Sequence, residues 1–540
     1  MDPRDYRSSD ELGKAPLSKL LLRFSIPAIF ALIVNALYNL VDRLYLSHYT
    51  PVIPGCSQAE LDQMTNAMMS GLGFAMPLME FIAVLGVLIG AGSTSLLSIT
   101  LGAKDDESAE KIVGQCVAME ILVFVFLPII AFFLMKPLLR HLGAQGQTLE
   151  FACSYLTVIL IGSLFMHLSY GLGGLIRAEG KATMAMITMV VGAVSNVLLD
   201  PIFIFGKCGL PALGVKGAAW ATNLAMLLST AVGLAFLTSK KSPVRLKWKR
   251  IAIYRGLMSR VLSIGMMPGV MQCVGGFISV AYIRGYKIWG GEDVDILVSA
   301  IVIIQCVHTF VLQPAQGIAQ AAQPIIGYSY GAGKYARMMK CTMKAARYAT
   351  TLSTIFFFVM MLGAPIFTRA FISAPEEETV IETAVSKTTD DVAITTESAT
   401  HCAGIQSENV AKKAGKVDMA DPLTRKKLYD TTVWGMRVLA LAFPFLAIPT
   451  ILSTFFQSIG HAKTALVINL IRYVGILLPL IILLPYLFHG VDGVWYSQPI
   501  SDFISGIGCG CILLYERQKV HGKMLARWHA HTPLPAPSKP

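Results

Sequence analysis

A carboxylate and two amides share one face of an apolar segment near the start of the chain. Asn35, Asn39 and Asp42 follow an apolar run that begins at Phe24, and their spacing of four and three residues places them on one stripe of a helix. Lipid cannot satisfy these groups, so the stripe must face protein or water, where Asp42 could bind a proton or a cation. The alternative is that Asp42 merely ends the helix at the membrane interface.

A second stripe of the same kind occurs in the fifth apolar run. Gly192, Asn196 and Asp200 are spaced four residues apart and therefore share a helical face. The glycine permits a close approach of another helix. The alternative is that Asp200 and Pro201 mark a helix end. Because both stripes carry an asparagine and an aspartate toward the same side, they predict one wet cavity.

A neutral polar row lies in the eighth apolar run, with spacings of three, four and three residues. Such a row could line a wet cavity without binding a cation strongly. The alternative is hydrogen bonding between helices. The row consists of Gln313, Gln316, Gln320 and Gln323, with Gln305 and His308 above it.

Four further ionisable side chains lie inside apolar runs, where a charge is a functional candidate by default: Glu80, Glu120, Arg472 and Asp502. We expect Glu120 to be interfacial, because it lies near one end of its run. Arg472 and Asp502 could form a structural ion pair between neighbouring helices. The role of Glu80 stays open.

The composition is that of an integral membrane protein. The chain has 540 residues, a mean hydropathy of +0.60, 54% hydrophobic residues and 14% charged residues, whereas soluble chains carry about 25% charge. The net charge of +12 comes from bases in a few loops, which fits the positive-inside rule better than nucleic-acid binding. Ten scattered cysteines show no CxxC pair, so we expect neither disulfides nor a metal site.

Apolar runs long enough to cross a bilayer recur along the whole chain. The sequence therefore predicts an all-α integral membrane fold with twelve transmembrane helices. The runs lie at about 24–46, 66–101, 112–135, 150–173, 184–206, 217–238, 262–283, 296–327, 345–372, 434–457, 464–486 and 495–515.

The chain also repeats itself. GVLIGAGSTSLLSITLGAKD, starting at residue 86, resembles AQGIAQAAQPIIGYSYGAGKY, starting at 315. RAEGKA at 177–182 matches QSIGHA at 457–462, and GVKGAAW at 214–220 answers GVDGVW at 490–495. The order is kept, so the helices form two repeated six-helix lobes. Parallel repeats are typical of transporters with a substrate path between the halves, and argue against a channel or a membrane-anchored enzyme.

Lysine and arginine predict the orientation. Five lie in the N-terminal segment, eight after the sixth helix, five after the eighth and five in the C-terminal tail, so we expect both termini in the cytoplasm. No signal peptide is indicated, so we expect the first helix to be retained. The expected units are a cytoplasmic segment 1–23, a first lobe 24–238, a cytoplasmic loop 239–261, a second lobe 262–515 with a polar extracytoplasmic insertion at about 375–430, and a cytoplasmic tail 516–540.

Several of these stretches together resemble the multidrug and toxic-compound extrusion (MATE) family, in its prokaryotic damage-inducible-type branch. They are FSIPAIFALIVNALYNLVDR, IRAEGKATMAMITMVVGAVSNVLLDPIFIF, GVKGAAWAT and QPISD at 498–502. The resemblance covers nearly the whole chain except the two tails and the insertion.

The resemblance implies a transporter, not an enzyme, in a prokaryotic cytoplasmic membrane. It would work as a monomer in membrane lipid, need no cofactor, and export drug-like, often cationic, amphipathic small molecules in exchange for H⁺ or Na⁺. The implied cation-coupling residues are Asp42, Asn196, Asp200, Tyr155 and Thr222, with Pro27 bending the first helix. The candidate substrate-cavity residues are Asn35, Asn39, Gln313, Gln316, Gln320, Glu80 and Asp502.

Two other classes of function compete with this interpretation. A lipid-linked glycan flippase of the same superfamily would line its cavity with several Arg or Lys to hold diphosphate, but the first-lobe stripes offer acids and amides. A polytopic membrane transferase would need a clustered catalytic motif facing the cytoplasm, and the sequence offers none.

Overall fold

The computed structural model describes residues 8–47, 58–209, 211–291, 294–369 and 422–531. Within these ranges every regular element is helical, which confirms the all-α prediction. The helices are α1 (Ser8–Lys14), α2 (Leu17–Ser47), α3 (Gln58–Gly102), α4 (Asp106–His141), α5 (Gly146–Ala178), α6 (Ala182–Phe205), α7 (Val215–Thr238), α8 (Arg255–Trp289), α9 (Val294–Gly331), α10 (Tyr335–Arg369), α11 (Pro422–Ala440), α12 (Phe443–Ser458), α13 (Ala462–Phe488) and α14 (Asp492–His531).

The helices α2 to α14 occupy the twelve positions at which the sequence predicts membrane spans. Among the described residues, nine helices are long and apolar enough to cross a membrane. The pair α11 and α12, bent by 51°, adds a tenth as one broken span. The remaining two positions are filled by α9, which carries the glutamine row, and by α14, which carries Asp502.

Several helices extend beyond their apolar runs, because only the lipid-facing part of a helix needs to be apolar. The helix α10 begins at Tyr335 instead of about 345, and α14 continues to His531, inside the predicted tail. Likewise, α11 begins at Pro422, so the last residues of the predicted 375–430 insertion are helical. Leu428 there is buried against α9 neighbours. The remainder of the insertion lies outside the described residues.

The internal repeat is visible in the backbone. The turn after α3 and the turn after α9 both end on a residue with a left-handed conformation, Lys104 (φ 62°) and Gly333 (φ 67°). The preceding glycines make reciprocal contacts, because a Cβ on Gly102 would strike the carbonyl of Tyr328 and one on Gly331 would strike the carbonyl of Ile99. The two lobes therefore meet closely at equivalent turns.

The lobes share a core on one side of the membrane and have separate cores on the other. We call the side that holds the turns after α3 and α9 the basic side. Its apolar cluster contains residues of both lobes, such as Leu97, Ile112, Ile325 and Leu452. On the far side, one cluster belongs to the first lobe and another to the second. The contacts of α2 and α3 with α8 and α9 join the lobes.

The short helix α1 is fixed to the second lobe, although it leads into the first. The Arg337 guanidinium donates to the carbonyls of Leu12 (2.8 Å) and Ala15 (2.7 Å), and the Lys334 ammonium donates to the carbonyl of Gly13 (3.0 Å). These cations satisfy carbonyls at the C-terminal end of α1, which have no partner within the helix. Thus α1 bridges the lobes on the basic side.

Candidate functional site

Three of the predicted coupling residues form one hydrogen-bonded group in the first lobe. Asn196 and Asp200 lie one turn apart on α6, and both are buried. The Asn196 amide nitrogen lies 3.3 Å from Asp200 Oδ1 and 3.4 Å from Thr222 Oγ1 on the neighbouring α7. The Thr222 hydroxyl donates to the carbonyl of Ala218 (3.0 Å), so its lone pairs can accept the amide.

Neither aspartate of the two stripes marks a helix end. The helix α6 continues through Pro201 to Phe205 and stops at Gly206, whose φ of 71° is the left-handed C-cap conformation that glycine adopts without strain. Similarly, α2 continues past Asp42 to Ser47. The helix-end alternative is therefore wrong for both residues.

Asp42 and Asp200 lie on the packed helices α2 and α6. Their charges are close enough to interact, and Tyr38, one turn before Asp42, interacts with both. Asp200 Oδ2 and Asn196 Oδ1 are buried and have no hydrogen-bond partner among the described residues. Buried acceptors of this kind are costly unless a hydrogen-bond donor, a proton or a cation satisfies them.

Other predicted residues of the first lobe lie on α2 and α5. Tyr155 is buried on α5 within the far-side apolar cluster. Pro27 lies inside the continuous helix α2. Asn35 is half-buried, whereas Asn39 is exposed and its amide donates to the Asn35 carbonyl of its own helix (2.7 Å).

Two predicted polar side chains connect the lobes. Glu80 on α3 accepts a hydrogen bond from the Gln272 amide on α8. Gln323 on α9 donates to the Ser95 hydroxyl on α3 (2.9 Å), which supports the hydrogen-bonding alternative for that end of the glutamine row. Further along the row, Gln313 and Gln320 are half-buried and Gln316 is exposed.

In the second lobe, Arg472 and Asp502 form the ion pair that the sequence suggested. Asp502 Oδ1 accepts from Arg472 Nη2 (2.6 Å) and Nε (3.1 Å), and Oδ2 accepts from the Gln498 amide (2.8 Å). Tyr282 donates in turn to Gln498 (3.1 Å). Asp502 is fully buried with both oxygens occupied, so the structure does not support its expected place in an open substrate cavity.

Local backbone geometry helps to place this arginine. Residues Ile471–Leu477 form a π-helical turn, an arrangement that is frequent at functional sites. The Ser501 hydroxyl of α14 donates to the Arg472 carbonyl (3.3 Å). The two helices are thus joined through both the backbone and the side chain of Arg472.

Sequence reasoning missed one buried polar pair. Glu120, which we expected to be interfacial, is fully buried, and His167 of α5 lies opposite it. The expectation was wrong because α4 begins at Asp106, which places Glu120 about 21 Å along the helix at 1.5 Å per residue. The only signal for His167 was an imidazole inside an apolar run.

The family model described as MatE matches residues 62–202 and 270–388 of the chain, one match in each half. The Probable multidrug resistance protein YoeA of Bacillus subtilis is 24% identical over 266 residues, which cover 48% of this chain and 56% of that protein. The Multidrug export protein MepA of Staphylococcus aureus is 23% identical over 337 residues, which cover 62% and 68%. The chain thus matches little more than half the length of YoeA.

Solved structures match the whole fold. A multidrug resistance MATE family transporter of the MOP superfamily, in an outward-facing conformation, superposes with a TM-score of 0.76 at 21% identity and covers 95% of this chain and 98% of that one. A MOP superfamily transporter from Pyrococcus furiosus, described as having a binding pocket of reverse polarity, gives 0.77 at 21% identity, with 95% and 97% covered. The fold is that of a two-lobed, twelve-helix membrane transporter. The chain belongs to the MatE family.

Proposed function

We propose that this protein is a secondary active multidrug exporter, which expels amphipathic, often cationic compounds in exchange for H⁺ or Na⁺. The observation that carries the proposal is the set of unsatisfied buried acceptors, Asp200 Oδ2 and Asn196 Oδ1, opposite Asp42 in the first lobe. The names of the bacterial relatives, multidrug resistance and multidrug export proteins, support the cargo.

The chemistry of the site suits a small cation. Two carboxylates in a region of low dielectric repel each other, and a proton or Na⁺ between them removes this repulsion as well as the cost of burying the charge. The Asn196 carbonyl oxygen and the Thr222 hydroxyl oxygen are further possible ligands for the cation beside Asp200. Binding therefore favours a closer packing of α2 against α6.

Coupling follows if the two packings of these helices belong to different states of the transporter. A cation that binds one state better than the other shifts the population by its difference in affinity. Because α2 also packs against α9 of the second lobe, a change at Asp42 is passed to the lobe interface. Alternating access of the two lobes would then release the substrate on one side of the membrane.

The substrate would lie between the lobes, where half-buried and exposed amides offer hydrogen bonds without a competing cation. The candidates are the amides of Asn35, Asn39, Gln313, Gln316 and Gln320, together with the exposed carboxylate of Glu80. We propose that the basic side is cytoplasmic, in a prokaryotic cytoplasmic membrane, since lysine and arginine concentrate there. The shared core then closes the cytoplasmic side, and the separate far-side cores face outward in a functional monomer.

Dye export from proteoliposomes, with Na⁺ and pH gradients imposed separately, tests this proposal. We expect one of the two gradients to drive export and the Asp200→Asn variant to lose it. Glu150→Gln is the matched control, because Glu150 is an exposed carboxylate on α5. Export that proceeds equally without either gradient, or normally in Asp200→Asn, would contradict the proposal.

A further inference from the structure

A second buried acid lies inside the first lobe, apart from the group around Asp200. Glu120 of α4 and His167 of α5 both have side chains with 0% exposure. The imidazole Nδ1 lies 3.8 Å from Glu120 Oε2, which is longer than a hydrogen bond. Both Glu120 oxygens and Nδ1 lack a hydrogen-bond partner among the described residues.

The other ring nitrogen fixes the tautomer of His167. Its Nε2 lies 3.0 Å from the carbonyl oxygen of Ile82 on α3. A carbonyl can only accept a hydrogen bond, so Nε2 carries a hydrogen. In the neutral imidazole Nδ1 is therefore bare and basic, and it is turned toward Glu120.

The surrounding helices leave room for this pair only because they carry glycine beside it. A Cβ on Gly86 of α3 would lie 2.8 Å from His167 Cδ2. A Cβ on Gly171 of α5 would lie 3.1 Å from Cys116 Sγ and 3.4 Å from Glu120 Oε1. The pair is therefore packed tightly among α3, α4 and α5.

Few titratable groups face the pair. From α4 the Cys116 thiol adjoins Glu120, and from α3 the nearby groups are the Ile82 carbonyl and the Ser93 hydroxyl. The other charged groups on these helices, and on the segment packed against α4, face elsewhere. Glu80 accepts a hydrogen bond from Gln272. At the basic end, Glu107 and Glu110 form ion pairs with Lys111, Lys247 and Arg250. Arg177 lies ten residues beyond His167 on α5, which is about 15 Å at 1.5 Å per residue.

We propose that Glu120 and His167 form a second proton-binding site, which holds one proton on the Glu120 carboxyl. With no proton the pair buries an uncompensated carboxylate, and with two it buries an uncompensated imidazolium; both are costly in an apolar interior. With one proton the pair is neutral. The neutral form, with carboxylic acid beside bare Nδ1, avoids burying two charges that the 3.8 Å separation would leave without a hydrogen bond.

Infrared spectroscopy of the purified full-length protein tests this proposal without any transport assay, so its outcome is independent of coupling at Asp42 and Asp200. The measurement uses a Glu179→Gln background at pH 8, because Glu179 is the other buried glutamate among the described side chains of this lobe. We expect a protonated carboxyl band that shifts when glutamate is labelled with ¹³C. Glu120→Gln should remove the band, and His167→Gln should keep it at a changed frequency.

The pH dependence of protein stability is a second measurement, and it reports the number of protons that the folded protein holds. Above about pH 7.5 the unfolded chain binds no proton on either residue, since their ordinary pKa values are about 4.3 and 6.5. If the folded protein keeps one, its folding equilibrium constant falls tenfold more per pH unit than that of Glu120→Gln. The proposal would be overturned if the folding equilibrium constants of the parent and of Glu120→Gln depended on pH in the same way and the infrared band were unaffected by Glu120→Gln. If Glu120→Gln does not fold, absence of a ¹³C-sensitive band in the parent protein overturns it equally.

Discussion

Each lobe buries an aspartate next to an amide side chain, but among the described side chains only the second lobe supplies a countercharge. Asp502 accepts hydrogen bonds from Arg472 on one oxygen and from Gln498 on the other, and the network is complete. Asp200 has one long hydrogen bond from Asn196, and its second oxygen is buried without a partner among the described residues. The carboxylate of the second lobe is thus fully satisfied, whereas the carboxylate of the first lobe keeps the acceptor at which we propose that a cation binds.

The internal repeat explains how the difference arose on one scaffold. The offset of 280 that aligns 177–182 with 457–462 places Gly192 opposite Arg472. The offset of 276 that aligns 214–217 with 490–493 places Thr222 opposite Gln498. The second lobe thus carries the cation of Arg472 and the amide of Gln498 at the positions where the first lobe carries Gly192 and the hydroxyl of Thr222. The absence of an arginine at the position of Gly192 fits our proposal that the first-lobe carboxylates bind the transported ion.

The largest expected effect comes from neutralising the first-lobe site. Asp42→Asn and Asp200→Asn should each abolish gradient-driven export, because a neutral amide can neither take up and release a proton nor supply the negative charge that balances Na⁺. Both variants should keep the thermal stability of the parent, since removal of a buried charge removes a desolvation cost. A carboxylate with a purely structural role would behave in the opposite way, because its replacement would lower stability while transport persists. Melting curves and efflux assays on the same preparations separate the two outcomes.

The equivalent change in the second lobe should act on stability. Asp502→Asn leaves Arg472 buried without its carboxylate, and breaking a buried pair in this way costs about 3–5 kcal/mol. Replacing both partners by apolar residues, as in Arg472→Met with Asp502→Leu, should recover most of this loss. The free energy of unfolding in detergent measures both. Lost export in a fully stable Asp502→Asn protein would show that the second lobe also couples ions.

A third effect concerns the turns at which the lobes touch. Gly331→Ala would place a Cβ against the carbonyl of Ile99, and Gly102→Ala would place one against the carbonyl of Tyr328. Backbone cannot move aside as a side chain can, so we expect each variant to lose about 1–3 kcal/mol of stability from overpacking. Gly73→Ala is the matched control, because a Cβ at Gly73 meets nothing within 4 Å. Equal melting temperatures in all three variants would argue against a tight closure on the basic side.

The sequence predicted the positions of the helices and the shared face of Asn196 and Asp200, for a physical reason. Hydropathy reports which part of a helix lies in lipid, and a spacing of four residues reports which side chains share a face, as for Asn196 and Asp200. Neither reports what a side chain meets on another helix. The partners of Glu120, Glu80 and Gln323 therefore became known only from the packing. The polar ends of α10 and α11 were missed because they lie outside the apolar runs.

A further acid distinguishes the lobes at the basic side. Glu179, at the end of α5, is fully buried, and the offset of 280 places Ile459 at the equivalent position in the second lobe. Burial raises the pKa of Glu179 to about 8, even though Ser242, Lys181 and the backbone of Val244 favour the ionised form. The Ser242 hydroxyl lies 2.9 Å from one oxygen of Glu179 and 3.1 Å from the other.

The smallest expected effect follows from this carboxyl group. The unfolded chain releases its proton near the ordinary pKa of about 4.3, whereas the folded protein keeps it to about pH 8. The folded state therefore binds more protons between these values, and its stability falls as the pH rises through this window, by at most about 1.4 kcal/mol per pH unit for one group. Glu179→Gln keeps the hydrogen-bonding shape and should flatten the profile of melting temperature against pH. Glu150→Gln, a change at an exposed residue, should leave this profile unchanged. If the profile of Glu179→Gln ran parallel to that of the parent, Glu179 would be ionised in the folded protein over the whole pH window.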